Sequence, residues 1–402
     1  MDEERISSEE NITEEEKTET VSDDGNAEKK TIIETISKHS KTDSTKNKVI
    51  WSIVFVIIAA MTIFAITSQG DFSFTEFVGF LKNLKPGWLI LAFVSMLGII
   101  LFEALAILNV ARSFGYKKSI AHGYIYASGD IYFSAITPSA TGGQPACAFF
   151  MMKDGIPGPM VTLTLVVNLI MYTFGILILG IASFIINPAI FLGFSTFSKI
   201  LIVIGSATLC LIATAFIIIL VKSSVLYRIC DWGLDLLAKL HLIRNLERKK
   251  KKLRDSIDTY ACHVHQLGGK RKMLVGTLIL NVCQRASAVA VTLFVFFAAG
   301  GEISSGIDVW VSQCMVILGS NTVPIPGAMG ISDFLLIDAF GAIGFSDGAA
   351  MSLNLLSRTV SFYTCVVLCG ASMIVRMISY KVIEKRKTDL INNYTKERLK
   401  KQ

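Results

Sequence analysis

The chain has 402 residues, of which 52% are hydrophobic and only 18% charged, with a formal net charge of +7 and a mean hydropathy of +0.55. Soluble domains carry about a quarter charged residues, so this composition excludes an ordinary soluble globular protein. It implies an all-α polytopic integral membrane protein: several apolar runs reach the roughly 20 residues that a crossing helix needs, and nothing alternates with the period of barrel strands.

Residues 1–48 open with the acidic run "MDEERISSEENITEEEKTETVSDDG" and turn basic at Lys38, Lys41, Lys46 and Lys48. They lack the apolar stretch of a signal peptide and read as a disordered cytoplasmic tail. Apolar spans are expected at 49–67, 88–110, 159–186, 198–221, 272–299 and 349–376. Two further regions, 119–153 and 307–345, each consist of two short apolar pieces around a Gly/Pro break.

The positive-inside rule orients these spans. Arg112, Lys117 and Lys118 follow the second span, and segment 222–271 is densely basic, as is the tail from Arg376 onward. These parts are expected in the cytoplasm, with both termini. Segments 187–197 and 299–310 hold no Lys or Arg and fit the outside. Parity then makes 119–153 enter and leave on the inner face and 307–345 on the outer face. Each is expected to be a re-entrant hairpin of two half-helices, and the two membrane halves, 49–221 and 272–379, to form an inverted repeat. The alternative makes 119–136 and 307–323 ordinary short spans. The linker 222–271 alternates apolar and basic positions, which suits helices lying on the anionic inner leaflet or a solvated connection. Residues 380–402 form a basic cytoplasmic tail.

The breaks are chemically similar. "ITPSATGGQPA" brings Gly142 and Gly143 for a sharp turn and close approach, between Pro138 and Pro145. "NTVPIPGAMGISDF" repeats this with Pro324, Pro326, Gly327 and Gly330, and Ser332 and Asp333 can cap a following half-helix.

Ionisable residues inside spans are costly and are functional candidates. Arg285 lies about 20 Å along its span and Arg358 about 14 Å along the last. Glu103 is deep in the second span, Asp130 lies in the first interrupted region, and Asp333 and Asp338 follow the second break. The arginines are to be neutralised by these carboxylates or by a ligand phosphate held in their fork. Asn168, Asn281, Gln284 and Asn354 are expected to bridge helices or line a cavity, bridging being the favoured role. The eight scattered cysteines read as small hydrophobes, and the spacing in "CHVH" (Cys262, His263, His265) is not that of a structural zinc site. No metal, cofactor or catalytic residue is assigned, and no GxxxxGK[ST] phosphate loop occurs.

"TPSATGGQPA" followed by "KDGIP", and "VPIPGAMGISDF" followed by the late Arg358, resemble the transmembrane region of the lysylphosphatidylglycerol synthase family, a flippase-like, UPF0104-type membrane domain. The resemblance covers about residues 50–380. One departure is Asp333, where the family usually has Glu. The resemblance implies a plasma-membrane protein that binds phospholipid, including aminoacylated phosphatidylglycerol, and moves it between leaflets, which in family members supports resistance to cationic antimicrobial peptides. On this reading the lipid-binding residues are Arg285, Arg358, Asp130, Asp333, Glu103, Thr141, Gly142, Gly143, Gln144, Pro324, Pro326, Gly327 and Gly330. The expected partners are phospholipid head groups, anionic inner-leaflet lipids and a separate aminoacyltransferase; nucleic acid is not expected to bind directly, and a homodimer stays open. The alternatives are a phosphatidylglycerol lysyltransferase and a non-transporting membrane scaffold. About 25 residues follow the last span, fewer than an acyltransferase domain needs, so lysyl transfer itself is not expected of them.

Overall fold

A computed structural model of the chain describes residues 79, 81–137, 140–239, 246–321 and 330–380. The expected span at 49–67 and both expected tails lie outside these residues, apart from the start of the C-terminal one. Among the described residues the structure is helical and contains no strand.

The helices are α1 (Pro86–Ser113), α2 (Ile120–Ile136), α3 (Gly143–Lys153), α4 (Gly158–Ile186), α5 (Pro188–Gly193) and α6 (Thr196–Val221). Next come α7 (Ser223–Lys239), α8 (Leu246–Leu267), α9 (Arg271–Ala298), α10 (Gly306–Ser320), α11 (Ile331–Ala342) and α12 (Asp347–Tyr380). Pro86 starts α1 at the position where a missing N–H costs nothing. Ser195 caps α6 by accepting from the Ser198 N–H. Segments Pro86–Ser113, Gly158–Ile186, Thr196–Val221, Arg271–Ala298, Ile303–Ser320 and Asp347–Tyr380 are each long and apolar enough to cross a membrane. This is therefore a multi-pass membrane protein.

Both interrupted regions are broken where the sequence suggests. α2 stops at Ile136 and α3 starts at Gly143; α10 stops at Ser320 and α11 starts at Ile331. Segment 322–329, which holds Pro324, Pro326 and Gly327, lies outside the described residues. Ile303–Ser320, which includes the 3₁₀ turn before α10, is among the crossing-length helices; the 17-residue α2 is not.

α1 and α9 run antiparallel along their full length. The Lys85 N–H at one end donates to the Ala298 carbonyl at 2.8 Å, and Asn109 at the other donates to the Met273 carbonyl and Thr277 hydroxyl, each at 2.9 Å. α4 packs on α9 through Gly175, where an added Cβ would sit 3.3 Å from the Asn281 carbonyl carbon, so the two backbones approach closely. Asn281 also donates to Asn168 of α4 at 3.0 Å, the bridging role expected of these amides.

The apolar side chains form two clusters. One, with Ile100, Val291, Phe296, Phe340 and Leu353, joins α1, α9, α11 and α12. The other, with Ile107, Met151, Met160, Leu163 and Tyr260, joins α1, α3 and α4 to α8. In α8, Ile257, Tyr260 and Leu267 are thus buried against protein, so part of the linker's apolar stripe is covered. Lys250 on the same helix pairs with Asp231 and Asp235 of α7 at 3.1 and 2.7 Å. Outward-facing Ile181, Ile185, Leu211 and Val367 remain exposed, as a lipid-facing surface requires.

Candidate functional site

Helices from both halves enclose a cavity of about 710 Å³, within the range of small-ligand sites. Its wall includes Glu103 of α1, Asp130 of α2, Gln144 of α3, Arg285 of α9 and Arg358 of α12. Five of the residues singled out from the sequence thus face one space, although the chain separates the first and last by more than half its length.

On one side, Glu103 is buried and accepts a hydrogen bond from Gln284 of α9. Asp130 accepts from the Gln144 amide at 3.1 Å and from the Ser134 hydroxyl at 3.5 Å. The Glu103 and Asp130 carboxyl groups are neighbours across the α1–α2 contact. Gly143 begins α3 directly beside this pair. A Cβ there would lie 2.0 Å from Ser134 Oγ and 2.1 Å from Asp130 Oδ1, so only glycine admits the contact. The carboxyl group that meets the start of α3 is therefore that of Asp130. Gly142 precedes the helix and donates its N–H to Thr137 Oγ1 at 2.8 Å. Thr141 is exposed and is not part of the wall.

Arg285 is held differently from Arg358. Its Nε donates to Gln284 Oε1 at 3.2 Å, its Nη1 donates to the Tyr172 hydroxyl at 3.1 Å, and the guanidinium lies 4.4 Å from the centre of the Tyr172 ring. Neutral amide, hydroxyl and ring faces orient it, and among the described residues it forms no ion pair. Its charge is available to an anion in the cavity.

Arg358 is buried, pairs with Asp333 and donates to Ser332. Asp333 in turn accepts from the Gly330 N–H at 2.9 Å and from Asn354 Nδ2 at 3.1 Å. From the third position of α11 it thus satisfies the N–H of the N-cap Gly330 and is also the counter-ion of Arg358. Gly330 has φ of +82°, a conformation that favours glycine, and forms the turn into α11. Directly after Arg358, α12 passes through a π turn, Thr359–Thr364, in which Thr364 Oγ1 donates to the Thr359 carbonyl at 2.7 Å. Such turns shift the register of a helix and cluster at functional positions. Gly330 and Asp333 support the wall from behind. Asp338 lies elsewhere and accepts from the Ser195 N–H at 3.0 Å.

A second polar cluster was not singled out from the sequence. Asp154, at the end of α3, accepts from the hydroxyls of Tyr126 (2.8 Å) and Tyr380 (2.7 Å) and from Arg376 Nη2 (2.9 Å). His122 is 3.9 Å away. The signal was the "KDG" that closes α3, where Gly155 has φ of +87° and turns the carboxylate back toward α2 and α12. Tyr172, Gln313 and Ser357 of the cavity wall were also not singled out from the sequence.

A family model for the lysylphosphatidylglycerol synthase TM region matches residues 49–369. The chain belongs to this membrane family. It is also 25% identical over 124 residues to a UPF0104 membrane protein of Pyrococcus horikoshii, a match covering 31% of this chain and 37% of that protein. The match thus spans well under half of the relative's length. Both breaks and the cavity residues Glu103 to Arg358 fall inside the family region.

Proposed function

We propose that the cavity receives the phosphate-bearing head group of a phospholipid and that the protein passes this lipid between leaflets. The observation that carries the reading is Arg285: a cation in the wall of a membrane cavity, hydrogen-bonded to neutral partners and forming no ion pair among the described residues. A charge at membrane depth is costly, and a phosphate arriving in the cavity would offset that cost with fork-shaped hydrogen bonds. Arg358, already paired with Asp333, reinforces the positive side of the site.

The antiparallel α1–α9 contact supports an inverted arrangement of the two halves, each with a long helix followed by a broken pair. In that arrangement the pairs α2–α3 and α10–α11 are re-entrant, both termini are cytoplasmic, and the site lies between the halves. Family membership supports a lipid as the cargo. On this reading an aminoacylated phosphatidylglycerol, made by a separate aminoacyltransferase, is one substrate, with resistance to cationic peptides at the plasma membrane as the outcome.

The test is leaflet transfer of labelled phosphatidylglycerol in proteoliposomes. Wild type should accelerate transfer over protein-free vesicles, and Arg285→Ala should abolish most of the gain. Equal rates for the two proteins would remove this site from the function.

A further inference from the structure

Helix α7 turns outward the side that a helix in water would hide. Its carboxylates Asp231 and Asp235 both meet Lys250 of α8, at 3.1 and 2.7 Å. Tyr227 accepts a hydrogen bond of 3.2 Å from Arg254 of α8 and offers that guanidinium its ring. Leu226 packs on the second apolar cluster. Val225, Ile229 and Trp232 follow one another at i, i+4 and i+7, the spacing of a single helix face. On that face Ile229 is 51% and Trp232 68% exposed. The polar side of α7 is thus spent on its neighbour helix, and the apolar stripe looks away from the protein.

The place of α7 in the chain says what meets the stripe. The membrane-crossing helix α6 ends at Val221, and α7 begins at Ser223. The last turns of α6 are themselves open to lipid, with Ile217, Ile218 and Val221 exposed. The stripe of α7 follows directly on that lipid-facing surface, where the crossing helix stops. Lys222 and Arg228 stand beside it, both exposed and, among the described residues, in no ion pair. The acidic residues of α7 cannot oppose an anion there, because Lys250 engages both. An apolar face with a tryptophan, edged by Lys and Arg, matches the boundary between acyl chains and anionic head groups. The indole suits that depth, having an apolar body and one N–H to leave in the wet layer.

We infer that α7 lies in the surface of an anionic lipid leaflet, with Ile229 and Trp232 among the upper acyl chains and Lys222 and Arg228 on lipid phosphates. The partner is the membrane surface itself, held outside the cavity and independently of what the cavity binds. Through the contacts of α7 with α8, this anchor fixes the α7–α8 pair against the membrane.

The experiment reads Trp232 fluorescence as the difference between the wild-type chain and Trp232→Phe, a change at an exposed position. Both proteins are reconstituted in phosphatidylcholine vesicles holding a minor share of phosphatidylserine. Bromine atoms near the head-group end of the acyl chains should quench the Trp232 signal, and acrylamide present on both sides of the membrane should not. With bromine placed on one lipid species at a time, at equal mole fraction, phosphatidylserine should prove enriched around Trp232 by about fivefold or more over phosphatidylcholine, the factor that one basic residue at an anionic surface confers. Lys222→Gln combined with Arg228→Gln should bring that ratio down toward one. A signal that acrylamide quenches would place the stripe in water, and one that neither quencher reaches would place it against protein, a second copy of the chain included; either result overturns the proposal. Lipid quenching without enrichment of phosphatidylserine would overturn the anionic partner, and enrichment that survives the double substitution would overturn the roles of Lys222 and Arg228.

Discussion

Arg358 and Asp333 form an ion pair that ties α12 to the first turn of α11, with side chains only 9% and 8% exposed. The same carboxylate holds the Gly330 N–H and the Asn354 amide. Removing one partner of such a pair strands the other charge in a low-dielectric setting. Arg358→Ala and Asp333→Asn should therefore each destabilise the folded protein by about 3–5 kcal/mol. The double substitution Arg358→Met with Asp333→Leu should recover much of that loss, because no charge is left unpaired. Thermal unfolding in detergent reads both effects. A double variant as unstable as the sum of the singles would contradict the pairing.

Arg285 should behave in the opposite way. Its hydrogen-bond partners are neutral, so Arg285→Ala removes a half-buried charge without breaking an ion pair. Stability should change little. Affinity for phosphatidylglycerol should fall by roughly 10- to 100-fold, the worth of charge-assisted hydrogen bonds. Arg285→Lys keeps the charge and loses the fork and the stacking on Tyr172, so it should fall between the two. Titration of labelled lipid separates the three proteins; a wild-type affinity in Arg285→Ala refutes the phosphate contact.

How far the sequence reveals this site depends on contrast. Arg285, Arg358, Glu103 and Asp130 stand out because a charge inside an apolar helix is expensive, and all four face the cavity. The helix breaks were legible because proline and glycine interrupt helices for local reasons: α2 and α10 end where those residues cluster. Long-range pairing was not legible. Nothing in the spacing tells that Arg358 takes Asp333 as its partner while Arg285 takes Tyr172, since both choices depend on how α4, α11 and α12 pack. Asp154 was overlooked because it lies in a short polar turn, where an aspartate is ordinary. Its importance arises from Tyr126, Arg376 and Tyr380, brought in from α2 and α12.

Gly143 offers a test of the close approach between α2 and α3. A methyl group there would overlap both Ser134 Oγ and Asp130 Oδ1, and it would also press on the Asp130 backbone carbonyl, 2.7 Å away. The side chains can rotate aside, but the carbonyl cannot. Gly143→Ala should force α3 away from Asp130, break the Gln144 contact and reduce lipid transfer severely, with a stability loss of about 1–3 kcal/mol, as overpacking commonly costs. Gly158→Ala is the control: nothing lies within 4 Å of its added Cβ, so both readouts should match wild type. Normal transfer by Gly143→Ala would mean that the contact does not matter to the site.

The Asp154 cluster predicts a graded series. The carboxylate is 6% exposed and receives two tyrosine hydroxyls and a guanidinium, which fasten the end of α3 to α2 and to the end of α12. Tyr126→Phe and Tyr380→Phe each remove one donor while Asp154 keeps the others, so each should cost about 1 kcal/mol. Asp154→Asn removes the charge that holds Arg376 and should cost more, about 2–4 kcal/mol. Because Asp154 and Arg376 share one interaction, Asp154→Asn combined with Arg376→Met should destabilise by clearly less than the sum of the two single changes. Thermal unfolding of the four proteins completes the cycle. Strict additivity would show that Arg376 and Asp154 are neighbours without coupling, and the fastening of α3 to α12 would then rest on the tyrosines alone.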